Sequence, residues 1–134
     1  MKYYIEKLLD TDFESAVLSA KEALQKEGFG ILSEIDIHKK FREKLGVKRY
    51  NQYRIMGACN PALAYDALEL ENKIGTMLPC NVIVREISAE KTEIAAINPL
   101  ASMQAVENGE LKNFAKLVTL KLEKAIASLE GTKL

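Results

Sequence analysis

A predicted strand runs directly into a predicted helix at Cys59-Asn60-Pro61, and this junction constrains the fold more than any other feature of the sequence. The preceding residues 53–58 read as a strand, and Pro61 suits the first turn of a helix because its missing N–H is not needed there. Asn60 is the natural N-cap, since its side chain can accept a hydrogen bond from the first turn. The chain therefore contains strands and helices that are closely joined.

Five strands and four helices are predicted along the chain. The strands cover residues 2–8, 29–37, 53–58, 81–86 and 92–97, and the last two form a hairpin across a turn near residues 89–91. The first helix follows the candidate N-caps Asp10, Thr11 and Asp12. The other three helices cover residues 38–45, 61–72 and about 110–129. This pattern indicates an α+β fold, a two-layer sandwich in which helices pack on one face of a mostly antiparallel sheet. At 134 residues, we expect a single domain over residues 1–134.

The second predicted strand is expected to have one covered side. Its apolar residues would share that side: Phe29, Ile31, Ile35 and Ile37. Glu34 and Asp36 would then lie together on the opposite side, where two carboxylates could hold a metal or perform acid–base chemistry. A solvated polar surface is the alternative, and no metal is assigned.

The overall charge excludes some classes of partner. Acidic and basic residues are balanced at 19 each, and tryptophan is absent. Balanced charge gives no sign of a nucleic-acid or membrane-surface partner, and sparse aromatics argue against a platform for stacking bases. No segment approaches the roughly 18 apolar residues of a membrane-spanning helix, and no apolar run of signal-peptide length follows Met1. We therefore expect a cytoplasmic protein with no nucleic-acid or membrane partner and no assigned cofactor.

The two cysteines are each followed by asparagine, in Cys59-Asn60 and Cys80-Asn81. Cys59 precedes a helix N-terminus, whose free N–H groups and dipole favour a thiolate, so it is the candidate catalytic nucleophile. Cys80 opens an apolar strand, and both thiols could equally be small buried core residues. A sharper hypothesis places the two thiols together at one end of the sheet, as a reversible redox pair or a soft-metal site. Two thiols alone are too few ligands for that metal.

Several further side chains could contribute to a ligand site. Arg54 and Arg85 lie in predicted strands near the cysteine motifs and could bind an anion, although ordinary salt bridges are the alternative. His38 is the only histidine and is expected to be a surface residue, so a Cys-His or Ser-His mechanism has one distant candidate. The predicted ligand-binding residues are Asn60, Cys80, Asn81, Arg54 and Glu34.

Four segments of the chain resemble the DUF302 family. They are residues 28–36 with Lys44-Leu45-Gly46-Val47, residues 53–61 with Ala64, Ile74-Gly75 with Leu78-Pro79-Cys80-Asn81-Val82, and Asn98-Pro99-Leu100 with Met103. Asn98 stands where the family pattern has an aspartate. The resemblance implies a compact α+β domain that forms a homodimer, and it gives more weight to Cys59 and Cys80 as a shared site. It implies no reaction.

Two classes of function remain open. The preferred hypothesis is a dimeric module that binds a small molecule or anion in a pocket walled by the two Cys-Asn motifs. Its alternative is a thiol-dependent enzyme or redox sensor centred on Cys59, for which no base that would orient the thiol is visible. A third possibility is that both cysteines are purely structural. The homodimer is expected to use Leu117 and Leu120, which lie off the apolar stripe of the last helix.

Overall fold

The computed structural model of the protein describes residues 1–130 and shows a five-stranded antiparallel sheet covered by helices. The strands are β1 Tyr4–Leu9, β2 Gly30–Asp36, β3 Tyr53–Cys59, β4 Cys80–Ser88 and β5 Lys91–Ile97. Their order across the sheet is β1-β5-β4-β3-β2, so β4 is the central strand and β1 and β2 are the edges. All four neighbouring pairs are antiparallel, which confirms the predicted α+β class and the β4–β5 hairpin.

Within residues 1–130, five α-helices accompany the sheet. They are α1 Phe13–Lys26, α2 Ile37–Leu45, α3 Pro61–Leu70, α4 Pro99–Ser102 and α5 Gly109–Ala127, and a 3₁₀ helix covers Asn72–Met77. The 3₁₀ helix and α4 lie where the sequence predicted mainly loop. No helix among residues 1–130 has both the length and the apolar character needed to cross a membrane.

The core lies between α1, α5 and one face of the sheet. The predicted apolar stripe of α5 is confirmed, because its residues are buried: Leu111, Phe114, Ala115, Val118, Leu122, Ala125 and Ile126. They meet the inward side chains of the central strands, among them Val82, Val84, Ile94 and Ala96. The helices therefore form the second layer of the sandwich, on one face of the sheet.

The predicted helix caps are confirmed. The Asp12 carboxylate accepts a hydrogen bond from the Ser15 N–H at 3.2 Å, and the Asn60 side-chain oxygen accepts one from the Leu63 N–H at 3.4 Å. Gly28, with φ of 88°, follows the end of α1, and Gly46, with φ of 71°, ends α2. Both glycines have left-handed backbone that residues with a Cβ rarely adopt.

The prediction of which sheet face each β2 side chain lies on is wrong for the second half of the strand. Ile31 pairs with Ala58 and Ser33 pairs with Gly57, so Leu32 is an extra residue that forms a β-bulge. The bulge inverts the alternation, because a shift of one residue moves every later side chain to the other face. Ile35 therefore lies on the face away from the helices, 43% exposed, while Glu34 and Asp36 lie on the helix-covered face.

Asn98 stands where the family pattern has an aspartate. Both the oxygen and the nitrogen of its amide form hydrogen bonds. Asn98 Oδ1 accepts hydrogen bonds from the Leu100 N–H at 3.1 Å and the Thr119 hydroxyl at 3.2 Å. Its Nδ2 donates to the Lys2 carbonyl at 3.0 Å, which an ionised carboxylate could not do. Asn98 therefore joins the N-terminal segment, the start of α4 and α5.

Candidate binding site on the open face of the sheet

The sheet face that α1 and α5 leave uncovered, here called the open face, carries an unusually apolar set of side chains. Directly opposite residues on neighbouring strands share a face, so the register divides the open face into rows that cross the strands. The middle row contains Glu6, Ala95, Ile83, Ile55 and Ile35. Four of its five members are apolar, although an antiparallel sheet with one solvated face usually alternates apolar and polar residues.

Two further rows flank this middle row. Towards the cysteine end of the sheet, Tyr4 lies opposite Ile97, and Gly57 lies opposite both Asn81 and Ser33. Towards the other end, Leu8 and Arg85 both lie opposite Glu93, and Tyr53 lies opposite Arg85. The charged groups of the open face therefore lie at the β1 end of the middle row, where Glu6 is, or in the flanking row of Arg85 and Glu93.

A cavity of 550 Å³ opens on this face. Its floor comes from Ile83, Ala95 and Ile97, and its walls include Tyr3, Tyr4 and Tyr53. Asn81, Arg85, Glu93 and Glu6 supply its polar groups. An apolar floor with a few converging polar side chains is the usual composition of a small-molecule site.

Arg85 and Glu93 form the main charged contact of the cavity. Arg85 Nε donates a hydrogen bond to Glu93 Oε1 at 2.5 Å, and the two side chains are 43% and 15% exposed. This hydrogen bond raises the pKa of Arg85 above its ordinary value, so the guanidinium remains a cation. Because the contact uses only one of the five N–H donors of the guanidinium, Arg85 keeps others that can face a ligand.

The two cysteines lie at the same end of the sheet but in different environments. Cys80 pairs with Ala58, the residue before Cys59, so the two cysteines are neighbours across β3 and β4 as predicted. Cys80 lies in the core with its residue 5% exposed, whereas Cys59 is half-buried, and alternation directs their side chains to opposite faces. This arrangement does not favour a disulfide between them, because the Cβ vectors point apart.

Burial opposes the thiolate stabilisation that the sequence predicted for Cys59. Burial raises the pKa of the Cys59 thiol above its ordinary value, because removing a thiolate from water is unfavourable. Burial, with a smaller contribution from nearby Cys59, also raises the pKa of Cys80 to about 11. In both cases burial favours the protonated thiol.

Asn60 and Asn81 have different roles despite their matching motifs. The Asn60 side chain caps α3 and also donates from Nδ2 to the Glu27 carbonyl at 3.5 Å, so both ends of its amide are engaged. Asn81 is exposed at the edge of the cavity. Of the two asparagines, the geometry leaves Asn81 available to a ligand.

Arg54 and Glu34 do not lie with the Cys-Asn motifs. Arg54 is five residues before Cys59 along β3, about 17 Å away at the rise of an extended strand. Its Nε donates to Asp36 Oδ1 at 2.7 Å, and its Nη1 lies 3.6 Å from Glu34 and 3.5 Å from Glu14 of α1. This ion cluster joins β2 and β3 to α1 on the covered face, whereas Arg85 lies on the open face.

Within residues 1–130, neither the cysteine motifs nor the carboxylates that surround Arg54 form a group suited to a metal ion. Glu34 also contacts Lys21 at 2.9 Å, so its charge is balanced from two sides. Within the part of the chain that the structure describes, no group of three or more His, Cys, Asp or Glu side chains could hold a metal ion.

Sequence reasoning did not identify most of the cavity residues. Tyr4, Ile83 and Glu93 line it without belonging to any motif, and Tyr53 begins the family-like segment 53–61 but was not predicted as a site residue. One signal was present, because Val82-Ile83-Val84 in β4 is apolar at successive positions and so on both faces of the strand. That pattern predicts a central strand whose outer face also meets something apolar.

Comparisons with known proteins identify the fold and no activity. A family model described as "Domain of unknown function DUF302" matches residues 5–129. A crystal structure of an uncharacterised conserved DUF302 protein from Bacillus stearothermophilus is similar, with a TM-score of 0.86 and 24% sequence identity. The similarity covers 95% of this chain and 98% of that one, and at this identity it shows the shared fold alone. A search of curated proteins gives no match.

Proposed function

The chain belongs to the DUF302 family, whose name assigns no activity, and we propose that it is a binding module for a small molecule with an apolar body and an anionic group. The observation that carries this proposal is the 550 Å³ cavity on the open face, with its apolar floor and Arg85 at one side. Ligand pockets typically measure about 300–1,000 Å³ and place a few polar groups among apolar ones. Asn81, from the second Cys-Asn motif, adds an amide at the other side.

Arg85 is the group that would select an anion. Its guanidinium is planar and matches the two oxygens of a carboxylate, phosphate or sulfonate. Glu93 holds this side chain through Nε, so the guanidinium is oriented before a ligand arrives. An anion bound to the remaining donors would lie beside the apolar floor formed by Ile83 and Ala95.

The alternative of a thiol-dependent enzyme or redox sensor at Cys59 receives less support. A reactive cysteine needs a lowered pKa, and burial raises that of Cys59. The homodimer expected from the family resemblance remains part of the proposal. We also propose a cytoplasmic location, because free thiols such as Cys59 and Cys80 are typical of that compartment.

Binding can be tested with 8-anilinonaphthalene-1-sulfonate, a fluorescent probe with an aromatic body and one anionic group. We expect saturable binding to the native protein at neutral pH. Arg85→Gln removes the cation while keeping a polar side chain, and we expect it to raise the Kd at least about fivefold, about 1 kcal/mol. Ala95→Phe should fill the floor of the cavity and weaken binding as well.

Arg42→Gln is the matched control, because Arg42 is an exposed arginine of α2 outside this cavity. We expect Arg42→Gln to bind the probe as the unaltered protein does. Equal Kd values for Arg85→Gln and the unaltered protein would contradict the proposed site. Unchanged circular dichroism would show that the variants keep the fold.

A further inference from the structure

We infer that a second copy of this chain packs its open face against the open face described here, so that the two sheets close the cavity between them. The inference gives the location of the homodimer contact. It also deepens the proposed function, because the ligand held in the enclosed cavity is the one proposed above. Four observations lead to it: the two-sided apolar strands, the position of the charges, the area of the face and its symmetry.

The central strands have apolar side chains on both faces. In β4, Val82 and Val84 are fully buried against the helices, while Ile83 between them lies on the open face. In β5, Ile94 and Ala96 are buried in the same way, while Ala95 lies on the open face. Strands of this kind are typical of sheets that are covered on both sides.

The charges of the open face suit burial at an interface. Its centre is the apolar middle row, and Glu6 at the β1 edge is exposed, as expected of a polar rim. Arg85 and Glu93 already neutralise each other, and a paired charge is far less costly to bury than a single one. Tyr4 and Tyr53 add aromatic area, which is enriched at interfaces.

The area of the face fits a second copy of the chain. Five strands about 4.8 Å apart and about 20 Å long give a flat area near 500 Å² per face, or about 1,000 Å² for two faces together. This is the lower limit for a specific protein interface. By contrast, the surface expected from the sequence lies on α5 and offers Leu117 and Leu120, with exposed Lys116 and half-buried Lys121 beside them.

Symmetry makes the contact self-complementary. Ile83 is the middle-row residue of the central strand, so it lies at the centre of the open face. A twofold axis that passes through that centre in the plane of the interface and runs along the middle row places the two middle rows against each other and brings Ile83 next to its own copy. The second copy then contributes its own Arg85 and Asn81 to the enclosed cavity.

Light scattering on the purified chain at micromolar concentration tests the contact, and we expect a dimer. Ile83→Glu places two like charges at the twofold axis and should raise the dimer dissociation constant at least about 100-fold. Leu120→Glu is the matched control, because Leu120 is 57% exposed on the helix face, and this variant should remain dimeric. A monomeric unaltered chain, a dimeric Ile83→Glu variant, or a dimer broken only by Leu120→Glu would each overturn the inference.

A cysteine cross-link keeps the test decisive if Ile83→Glu does not fold. In a Cys59→Ser background, Ile83→Cys should form a disulfide-linked dimer on mild oxidation, while Leu120→Cys in the same background should not. A cross-link through position 120 alone would overturn the inference. Probe binding separates the two proposals: a monomeric chain that still needs Arg85 for binding refutes only the interface, and a dimer indifferent to Arg85→Gln refutes only the ligand site.

Discussion

At the scale of single residues, Cys59 shows how burial can outweigh a helix N-terminus. The sequence places this thiol just before α3, where the dipole favours an anion. The structure half-buries it, and the Asn60 side chain already caps the helix. Burial therefore sets the direction of the pKa change, which is upward.

We predict that Cys59 reacts slowly with iodoacetamide at neutral pH. In a Cys80→Ala variant, Cys59 is the remaining thiol, and its alkylation rate should rise with pH through an inflection above the ordinary thiol value. The same variant unfolded in urea is the control and should show the ordinary inflection. A native inflection below the unfolded one would restore Cys59 as a nucleophile.

Asp36 is a second residue whose environment makes a testable prediction. Burial alone would raise the pKa of its carboxyl, but the hydrogen bond and charge of Arg54 outweigh burial and lower it. A lowered pKa in the folded state stabilises the protein above the unfolded value, and this stabilisation is lost as pH falls through the folded value. Asp36→Asn should therefore lower the free energy of unfolding by about 1 kcal/mol at pH 7.

The difference between Asp36→Asn and the unaltered protein should shrink as the pH falls below about 4, the unfolded value for aspartate. Urea denaturation at several pH values measures this difference. Asp66→Asn, at an exposed position of α3, is the control and should leave stability unchanged within about 0.5 kcal/mol. A pH-independent loss in Asp36→Asn would show that its ion pair with Arg54 contributes nothing.

At the scale of secondary-structure elements, the close approach of Gly28 and Asn60 joins the end of α1 to the start of α3. A Cβ on Gly28 would lie 2.8 Å from Asn60 Nδ2, closer than side chains tolerate. Two of the family-like segments therefore meet here, one carrying Gly28 and the other Asn60. Their spacing reflects packing between helix ends rather than a ligand site.

We predict that Gly28→Ala is more destabilising than Gly46→Ala. Both glycines have left-handed backbone, which costs alanine about 1–2 kcal/mol. A Cβ on Gly46 meets open space, so the difference between the variants isolates the contact with Asn60. We expect Gly28→Ala to lose at least about 1 kcal/mol more in thermal or urea unfolding. Equal losses would show that Asn60 moves aside without cost.

The bulge in β2 explains one failure of sequence reasoning at this scale. Alternation of Ile31, Ile35 and Ile37 suggested a single apolar face, but the pattern contains no signal for the unpaired Leu32. Bulges depend on pairing with the neighbouring strand, which a single segment does not reveal. The inverted face moved Glu34 from its expected place to the covered side, beside Arg54.

At the scale of the whole molecule, the elements that were predicted well are those with local signals. The stripe of α5, the caps Asp12 and Asn60, and the turn between β4 and β5 depend on residues close in sequence. The cavity combines Tyr4 of β1, Tyr53 of β3 and Arg85 of β4, which only the strand order brings together. The predicted site was therefore divided: Asn81 lies at the cavity, whereas Arg54 and Glu34 lie on the other face.

The strand order also has a consequence for how the chain folds. From β2 to β5 the strands pair with their neighbours in sequence, whereas β1 pairs with β5, so that Tyr4 meets Ile97. Closing so long a loop costs entropy that local hairpins avoid, and distant pairings form slowly. Since β1 is synthesised well before its partner β5, we expect this pair to form last, and until it forms the β5 edge beside Ala95 is open to pairing with other chains.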